Sequence, residues 1–221
     1  MMKPQARRLS LLVLGVVLAG AGLSACAPLM VGGAVVTGIS AADRRTTGSQ
    51  IEDERIESRG AARIREHLGE RVHINITSYN RQVLLTGEVP NEQDKQLAEQ
   101  VVSRIENVRS ITNELGVLGH STLTQRSSDA LVTGRVKANL IDAKDISSSA
   151  FKVVTERGVV YLFGRVTARE ADRGTDIARR TSGVQKVVRL FELITEEDLF
   201  EMQQQSAPAN PSAPAAPGRP M

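Results

Sequence analysis

The sequence predicts an α+β protein built from two tandem copies of one αββαβ unit, each with two helices packed on a three-stranded mixed sheet. Three observations predict it. The stretch VLLTGEV at residues 83–89 is answered by VYLFGRV at 160–166. Farther on, ENVRSITNEL at 106–115 is answered by SGVQKVVRLF at 182–191. The spacing also holds: Gly87 and Gly164 stand 77 positions apart and Val108 and Val184 stand 76 apart, so a single one-residue gap reconciles the copies. The expected organisation is a leader over 1–25, a linker over 26–50, repeats over 51–118 and 126–195, and a disordered tail over 203–221.

The leader reads as a lipoprotein signal. Lys3, Arg7 and Arg8 form a basic flank, and residues 9–18 are apolar. Leu23-Ser24-Ala25-Cys26 then matches a bacterial lipobox, in which small residues admit the peptidase and the thiol carries diacylglycerol. Cys26 is the only cysteine, so it cannot form an internal disulfide. Acylation there adds ~0.8 kcal/mol for each buried CH₂, enough with several chains for a stable anchor. Ala27, where an aspartate would favour inner-membrane retention, directs the expectation to the outer membrane. The apolar, glycine-rich stretch 29–39 is too short to span a bilayer and reads as a membrane-hugging spacer.

Within the first repeat, Ile56, Gly60, Ile64 and Leu68 recur at helical spacing. Val72, Ile74 and Ile76 alternate as in a half-buried strand. Asn80-Arg81-Gln82 is a turn, and Val83, Leu85, Gly87 and Val89 resume the alternation as the second hairpin strand. Asn91 caps a helix whose apolar face is Leu97, Ala98, Val101, Val102 and Ile105, and a last strand is expected over 109–117. The second repeat follows suit. Ser128 or Asp129 is the expected cap of its first helix. Phe151, Val153, Val159, Tyr161 and Phe163 mark its hairpin, Thr167-x-x-Glu170 is a capping box, and the closing strand covers 187–194. Gly87 and Gly164 read as structural glycines, placed where a strand end needs positive φ or close approach. Beyond the repeats, Pro208, Pro211, Pro214, Pro217 and Pro220 recur every third residue, the period of a polyproline II helix.

Charge excludes one partner class. The whole chain carries +3, but Lys3, Arg7 and Arg8 leave with the leader, and the remaining 25 bases balance 25 acids. No nucleic-acid partner is expected. The balance is uneven: residues 51–116 hold 9 Lys/Arg against 12 Asp/Glu, and residues 126–194 hold 13 against 8. In a tethered protein, the cationic second repeat suits an anionic lipid surface.

No catalytic constellation is legible. His67, His73 and His120 lack partners at metal-ligand spacing, and neither a G-x-S-x-G elbow nor a phosphate-binding loop occurs. The expectation is a binding protein with no enzyme activity, no cofactor and no metal. The two copies can instead be compared. Aligned through Leu68 and Leu140, Arg59 becomes Leu131, Arg63 becomes Arg135, Glu66 becomes Ala138 and Gly69 becomes Ile141. Together with Lys137, these residues suggest an apolar patch fringed by base on the second repeat, as an interfacial membrane contact requires. Burial of Leu131 and Ile141 against the first domain is the competing reading.

The αββαβ unit, the glycine at the second strand and Gly183-Val184-Gln185-Lys186-Val187 before the third resemble the BON domain. The first copy has Asn107-Val108 at that motif. With a lipobox and short spacer, the pair resembles the dual-BON outer-membrane lipoproteins. That resemblance implies two tandem BON domains and periplasmic exposure. It also implies contact of the second domain's first helix with anionic phospholipid, notably phosphatidylglycerol, and support of outer-membrane integrity, with enrichment at division sites. Family members carry an aromatic at the opening of that helix; Leu131 stands there in a chain without tryptophan. An adaptor docking envelope protein partners is the alternative function.

Overall fold

The computed structural model describes residues 43–119 and 121–206. The signal segment, Cys26, the spacer 29–39, His120 and the proline-rich tail beyond Ser206 lie outside the described residues. The first repeat runs α1 (Thr47–Leu68), β1 (His73–Tyr79), β2 (Gln82–Val89), α2 (Glu92–Ser103), β3 (Ser110–Asn113) and β4 (Gly116–Val117). The second runs α3 (Leu123–Asp142), β5 (Phe151–Glu156), β6 (Val159–Val166), α4 (Ala168–Arg180) and β7 (Lys186–Leu193), followed by α5 (Glu196–Ser206). In each sheet the central strand, β2 or β6, pairs antiparallel with its hairpin partner and parallel with the strand that follows the second helix. The sheets are therefore mixed, as expected.

Four local readings are corrected. The helix of the second repeat starts at Leu123 and is capped by Thr122, whose hydroxyl accepts the Gln125 N–H; Ser128 and Asp129 lie within it. The closing strand of the first repeat breaks in two, because Asn113 turns its side chain back onto the Leu115 N–H and the chain bends between β3 and β4. Both pieces pair with β2, so this sheet has four strands. Residues 203–206, expected as tail, continue α5.

The fourth correction changes the comparison of the copies. Asp53 accepts hydrogen bonds from the Asn80 and Arg81 N–H groups at 2.7 Å. Asp129 accepts the Arg157 and Gly158 N–H groups at 2.8 Å. Each buried aspartate clamps the tight turn of its own hairpin, so Asp53 and Asp129 are equivalent. The caps Thr46 and Thr122 are 76 positions apart as well. Gly60 therefore answers Val136, Ile64 answers Leu140, and Leu68 answers Lys144, past the end of α3. The alignment through Leu68 and Leu140 is one helical turn out, because an i, i+4 apolar row looks the same after a one-turn slip.

Volumes across each core agree with the corrected register. A Cβ on Gly60 would run into the Ile76 side chain, and one on Gly174 into the Phe151 ring. Their counterparts Val136 and Ala98 are larger, and the strand residues that answer Ile76 and Phe151, Val153 and Ile74, are smaller. A larger helix residue thus goes with a smaller strand residue, as close packing demands.

Three apolar clusters result. One lies between the helices and sheet of each repeat. The third holds Tyr79 and Leu84 of the first sheet with Tyr161, Phe163 and Leu190 of the second, so the sheets face each other and the helices lie outside. Polar contacts rim this interface. Glu88, fully buried, accepts from Arg157 Nε at 2.9 Å and lies 3.0 Å from His73 Nδ1. Lys152 Nζ donates to Glu57 and to the Ser78 carbonyl, and Asn80 to Glu192.

Candidate functional site

α3 buries Asp129, Val132, Val136 and Leu140. At about 100° per residue, the face directly opposite carries Leu123, Leu131, Gly134, Ala138 and Ile141. This face is uncovered: Leu123 is 80% exposed, Leu131 61% and Ile141 62%. Arg135 and Lys137, both exposed, project from its two flanks. The helix thus brings Leu131, Arg135, Lys137, Ala138 and Ile141 onto one solvent-facing surface, and neither Leu131 nor Ile141 is covered by the first domain. Sequence reasoning missed Leu123, because it started the helix too late. The signal was present in Thr122, an N-cap residue just before an apolar position.

In the corrected register Leu131 answers Arg55, Arg135 answers Arg59, Lys137 answers Ala61, Ala138 answers Ala62 and Ile141 answers Arg65. Glu66 answers Asp142, so that acid is kept, but Glu52, Glu54 and Glu57 answer Ser128, Ala130 and Thr133. The apolar gain stands and is sharper than expected, since leucine and isoleucine replace two arginines. Along the matching face of α1 stand Thr47, Ile51, Arg55, Ser58, Ala62 and Arg65, Ile51 being 45% exposed and answered by Ser127 on α3. Two repeats with one core plan therefore present outer surfaces that differ most at Arg55 and Arg65 against Leu131 and Ile141.

The linker is built into the second repeat. Arg44 forks onto Glu170 with both nitrogens at 2.7 Å, and donates to the Arg165 carbonyl at 2.8 Å. Glu170 also closes the Thr167 capping box at the start of α4. Burial opposes its charge, but the Arg44 and Thr167 hydrogen bonds prevail and hold its pKa below the usual carboxylate range. Arg45 pairs with Asp43 and Asp53 and lies over the Tyr79 ring at 4.3 Å. The segment arriving from the Cys26 side is thus fixed to both repeats before α1 begins.

Other sequence-marked residues have local tasks. Gly87 has φ +110°, and a Cβ there would strike the His73 carbonyl. A Cβ on Gly164 would strike the Ala150 carbonyl. His67 Nδ1 lies 2.9 Å from the Arg63 carbonyl on the surface of α1. Among the described residues no group of three His, Cys, Asp or Glu side chains is placed to hold a metal ion, and no helix is long and apolar enough to cross a membrane.

Comparison with known proteins agrees with this architecture. The BON domain matches residues 53–119 and 128–195. The outer membrane lipoprotein DolP of Haemophilus influenzae is 35% identical over 174 residues, 78% of this chain and 90% of that protein. The 21 kDa hemolysin of Actinobacillus pleuropneumoniae is 31% identical over 69% of this chain and 79% of its own length. Among solved structures, the type III secretion protein CdsD of Chlamydia trachomatis covers 71% of this chain and 98% of its own at 15% identity and a TM-score of 0.28. The two domain matches begin 75 positions apart, close to the interval set by Asp53 and Asp129 and away from the one-turn slip. With both repeats matched over most of the described residues, the chain belongs to the BON-domain family.

Proposed function

We propose that this protein is a non-enzymatic outer-membrane lipoprotein, anchored through Cys26 and facing the periplasm, whose second BON domain binds anionic phospholipid. Phosphatidylglycerol is the expected lipid, and support of outer-membrane integrity, including at division sites, the expected role. One observation carries the reading. The outer face of α3 exposes Leu123, Leu131 and Ile141 with Arg135 and Lys137 at its flanks, while the matching face of α1 has Thr47, Arg55 and Arg65 at those three positions and one exposed isoleucine, Ile51. Inserting a leucine side chain contributes about 1.5 to 3 kcal/mol, and each base near an anionic surface about 1 kcal/mol. Such a contact is weak alone, and the anchor supplies the effective concentration that makes it count. The similarity to DolP supports the location.

The test is vesicle co-sedimentation of the mature chain with Cys26 replaced by Ser, which removes the anchor from the measurement. Phosphatidylglycerol vesicles should bind and phosphatidylcholine vesicles should not. Leu131→Glu should abolish binding at any salt concentration. Arg135→Glu should weaken it most at low ionic strength, since a headgroup contact is screened over a Debye length of ~8 to 10 Å. Binding no better than to the zwitterionic control would overturn the lipid reading in favour of an adaptor of envelope proteins. For the anchor itself, Cys26→Ala should abolish palmitate labelling and outer-membrane fractionation, and labelling that persists would refute the assignment.

A further inference from the structure

In domain 1, Arg59 on α1 pairs with Glu106 in the turn that leads from α2 to β3, at 3.7 Å. The corrected register makes Arg135 the counterpart of Arg59 and Ser182 the counterpart of Glu106. It also sets Arg179 against Ser103 and Lys186 against Ser110. The same corner of domain 2 has therefore lost two acids, Glu106 and the Glu52 that accepts from Asn107 in that turn, and has gained Arg179 and Lys186 while Gln185 replaces Arg109.

The geometry makes that corner a notch. Arg179, Val184, Gln185, Lys186 and Val187 line an open cleft of about 300 Å³ where α4 gives way to β7. Arg135 reaches the same turn from α3: its Nη1 lies 3.7 Å from where a Cβ on Gly183 would sit. Asn139, one turn farther along α3, donates to the Thr181 hydroxyl at 2.8 Å and fixes α3 against the turn. Arg179, Ser182 and Lys186 are exposed, and among the described residues Arg135, Arg179 and Lys186 enter no ion pair. Elsewhere Arg173 of α4 pairs with Asp145 at 2.8 Å and Arg189 of β7 with Asp172 at 3.1 Å, while Arg169 donates to the Asp145 carbonyl and Arg180 enters no ion pair among the described residues. Arg179 and Lys186 on the cleft and Arg135 at its turn are thus three bases without an acidic partner at one corner.

We infer that the α3–α4–β7 corner of domain 2, formed by Arg135, Arg179 and Lys186, is a phosphate-binding notch. It rests on the lipid reading above for its source, the phosphodiester of an anionic phospholipid. Arg135 belongs to both features, since it flanks Leu131 on one side and overhangs the Gly183 turn on the other. A headgroup held in the notch would leave its acyl chains beside the apolar face of α3. Two guanidinium groups and an ammonium suit a phosphate oxygen cluster, and the fork of each arginine suits it in particular.

The experiment gives domain 2 what domain 1 already has. Ser182→Glu in the mature, Cys26→Ser chain places an acid beside Arg135, as Glu106 stands beside Arg59, so the fold should tolerate it; a melting curve checks this. A second variant, Arg179→Ser with Lys186→Ser, removes charge without adding any. The control is Ser103→Glu, which adds the same charge to domain 1. Each is titrated with phosphatidylglycerol vesicles and, separately, with inorganic phosphate, following the amide signals of Gly183, Val184 and Gln185. Vesicle affinity should fall about tenfold in Ser182→Glu and by about fivefold for each base removed, and should not change in the control. The phosphate-induced amide shifts should vanish in both domain 2 variants. If vesicle binding is normal in the unmodified chain and unchanged in both variants, the notch is refuted and the α3 face stands alone. If vesicles fail to bind but phosphate moves Gly183, the notch stands for a soluble phosphate and the lipid reading falls. If neither ligand responds to Ser182→Glu, the inference is overturned.

Discussion

In the first repeat Asp53 takes hydrogen bonds from the Ser78 hydroxyl, from two hairpin N–H groups and from Arg45 of the linker. In the second repeat Asp129 takes only the two hairpin N–H groups. The shared part closes the hairpin and is needed by any αββαβ unit. The added part in domain 1 ties in the linker. The outer surfaces diverge further: the α1 face carries Arg55 and Arg65 and its Arg59 is paired, whereas the α3 face carries Leu131 and Ile141 at those positions and its Arg135 is unpaired among the described residues. Two copies of one fold thus separate what the fold requires from what each domain has been given to do. The linker is tied to domain 1 through Arg45 and to domain 2 through Arg44, and the exposed leucine and isoleucine pair belongs to α3.

The largest effect should come from the glycines of the central strands. Valine at Gly87 must adopt φ near +110° and also displace the His73 carbonyl, while valine at Gly164 needs no positive φ and meets the Ala150 carbonyl and the Val166 side chain. Strain of this kind costs about 1 to 3 kcal/mol and a backbone clash a similar amount. Gly87→Val should therefore destabilise by about 4 kcal/mol and Gly164→Val by about 2, read from urea denaturation. Equal losses would remove the backbone difference between the repeats, and no loss in either would refute a structural role for both glycines.

Next come the hairpin clamps. Hydrogen bonds to an ionised carboxylate contribute about 1.5 to 3 kcal/mol, and Asp53 has the larger set. Asp53→Ala should cost about 3 kcal/mol and Asp129→Ala about 2. A larger loss at Asp129 would mean that the linker contacts contribute nothing.

These aspartates also show how far the sequence could be read. The apolar spacing of each helix and strand was legible, and so were the caps Asn91 and Thr167, because period and capping chemistry are local. The register between α1 and α3 was not. Apolar rows repeat every turn, and only the hydrogen bonds of Asp53 and Asp129 to distant turns distinguish one register from the next. An acidic residue three positions before an apolar helix row was a usable signal, but it reads equally as a surface charge. The patch at Leu131 and Ile141 survived the slip because both residues lie outside every core row. The repeat already set Ser182 against Glu106, but the notch did not show, since it depends on the correct partner for Arg59, which the slip had given to Leu131.

A third, more modest effect concerns the interface between the sheets. Burial opposes ionisation of Glu88, but hydrogen bonds from the Ser121 N–H, Arg157 and His73 outweigh it, and its pKa is lowered. A carboxyl lowered in the folded state contributes stability above its unfolded value, ~4.3, and that stability is lost as pH falls through the lower folded value. Glu88→Gln should flatten the acid limb of the stability curve below about pH 4. Glu156 runs the other way: burial first, then the Glu88 and Asp129 charges, raise its pKa, so ionised Glu156 weakens the fold at neutral pH. Glu156→Gln should raise the melting temperature at pH 7 by a few degrees, for about 1 kcal/mol. If the two variants shift stability in the same direction at pH 7, the opposed electrostatics of this interface are wrong.

The smallest effect sharpens the comparison most. Arg55→Leu with Arg65→Ile transplants the apolar pair of α3 onto α1, at positions already exposed in domain 1. If apolar insertion alone made a lipid-binding domain, this variant should double the sites of the mature chain. The corner of domain 1 argues otherwise. Arg59 is paired with Glu106, and Ser103 and Ser110 stand where domain 2 has Arg179 and Lys186. Without a phosphate contact, two apolar side chains have no preference for an anionic surface. The transplant should therefore change affinity for phosphatidylglycerol vesicles by less than about twofold, and any gain should appear equally with phosphatidylcholine. Adding Glu106→Ser, Ser103→Arg and Ser110→Lys should then restore the preference for anionic lipid. A strong, headgroup-selective gain from the apolar pair alone would show that the bases at the α4–β7 corner are incidental.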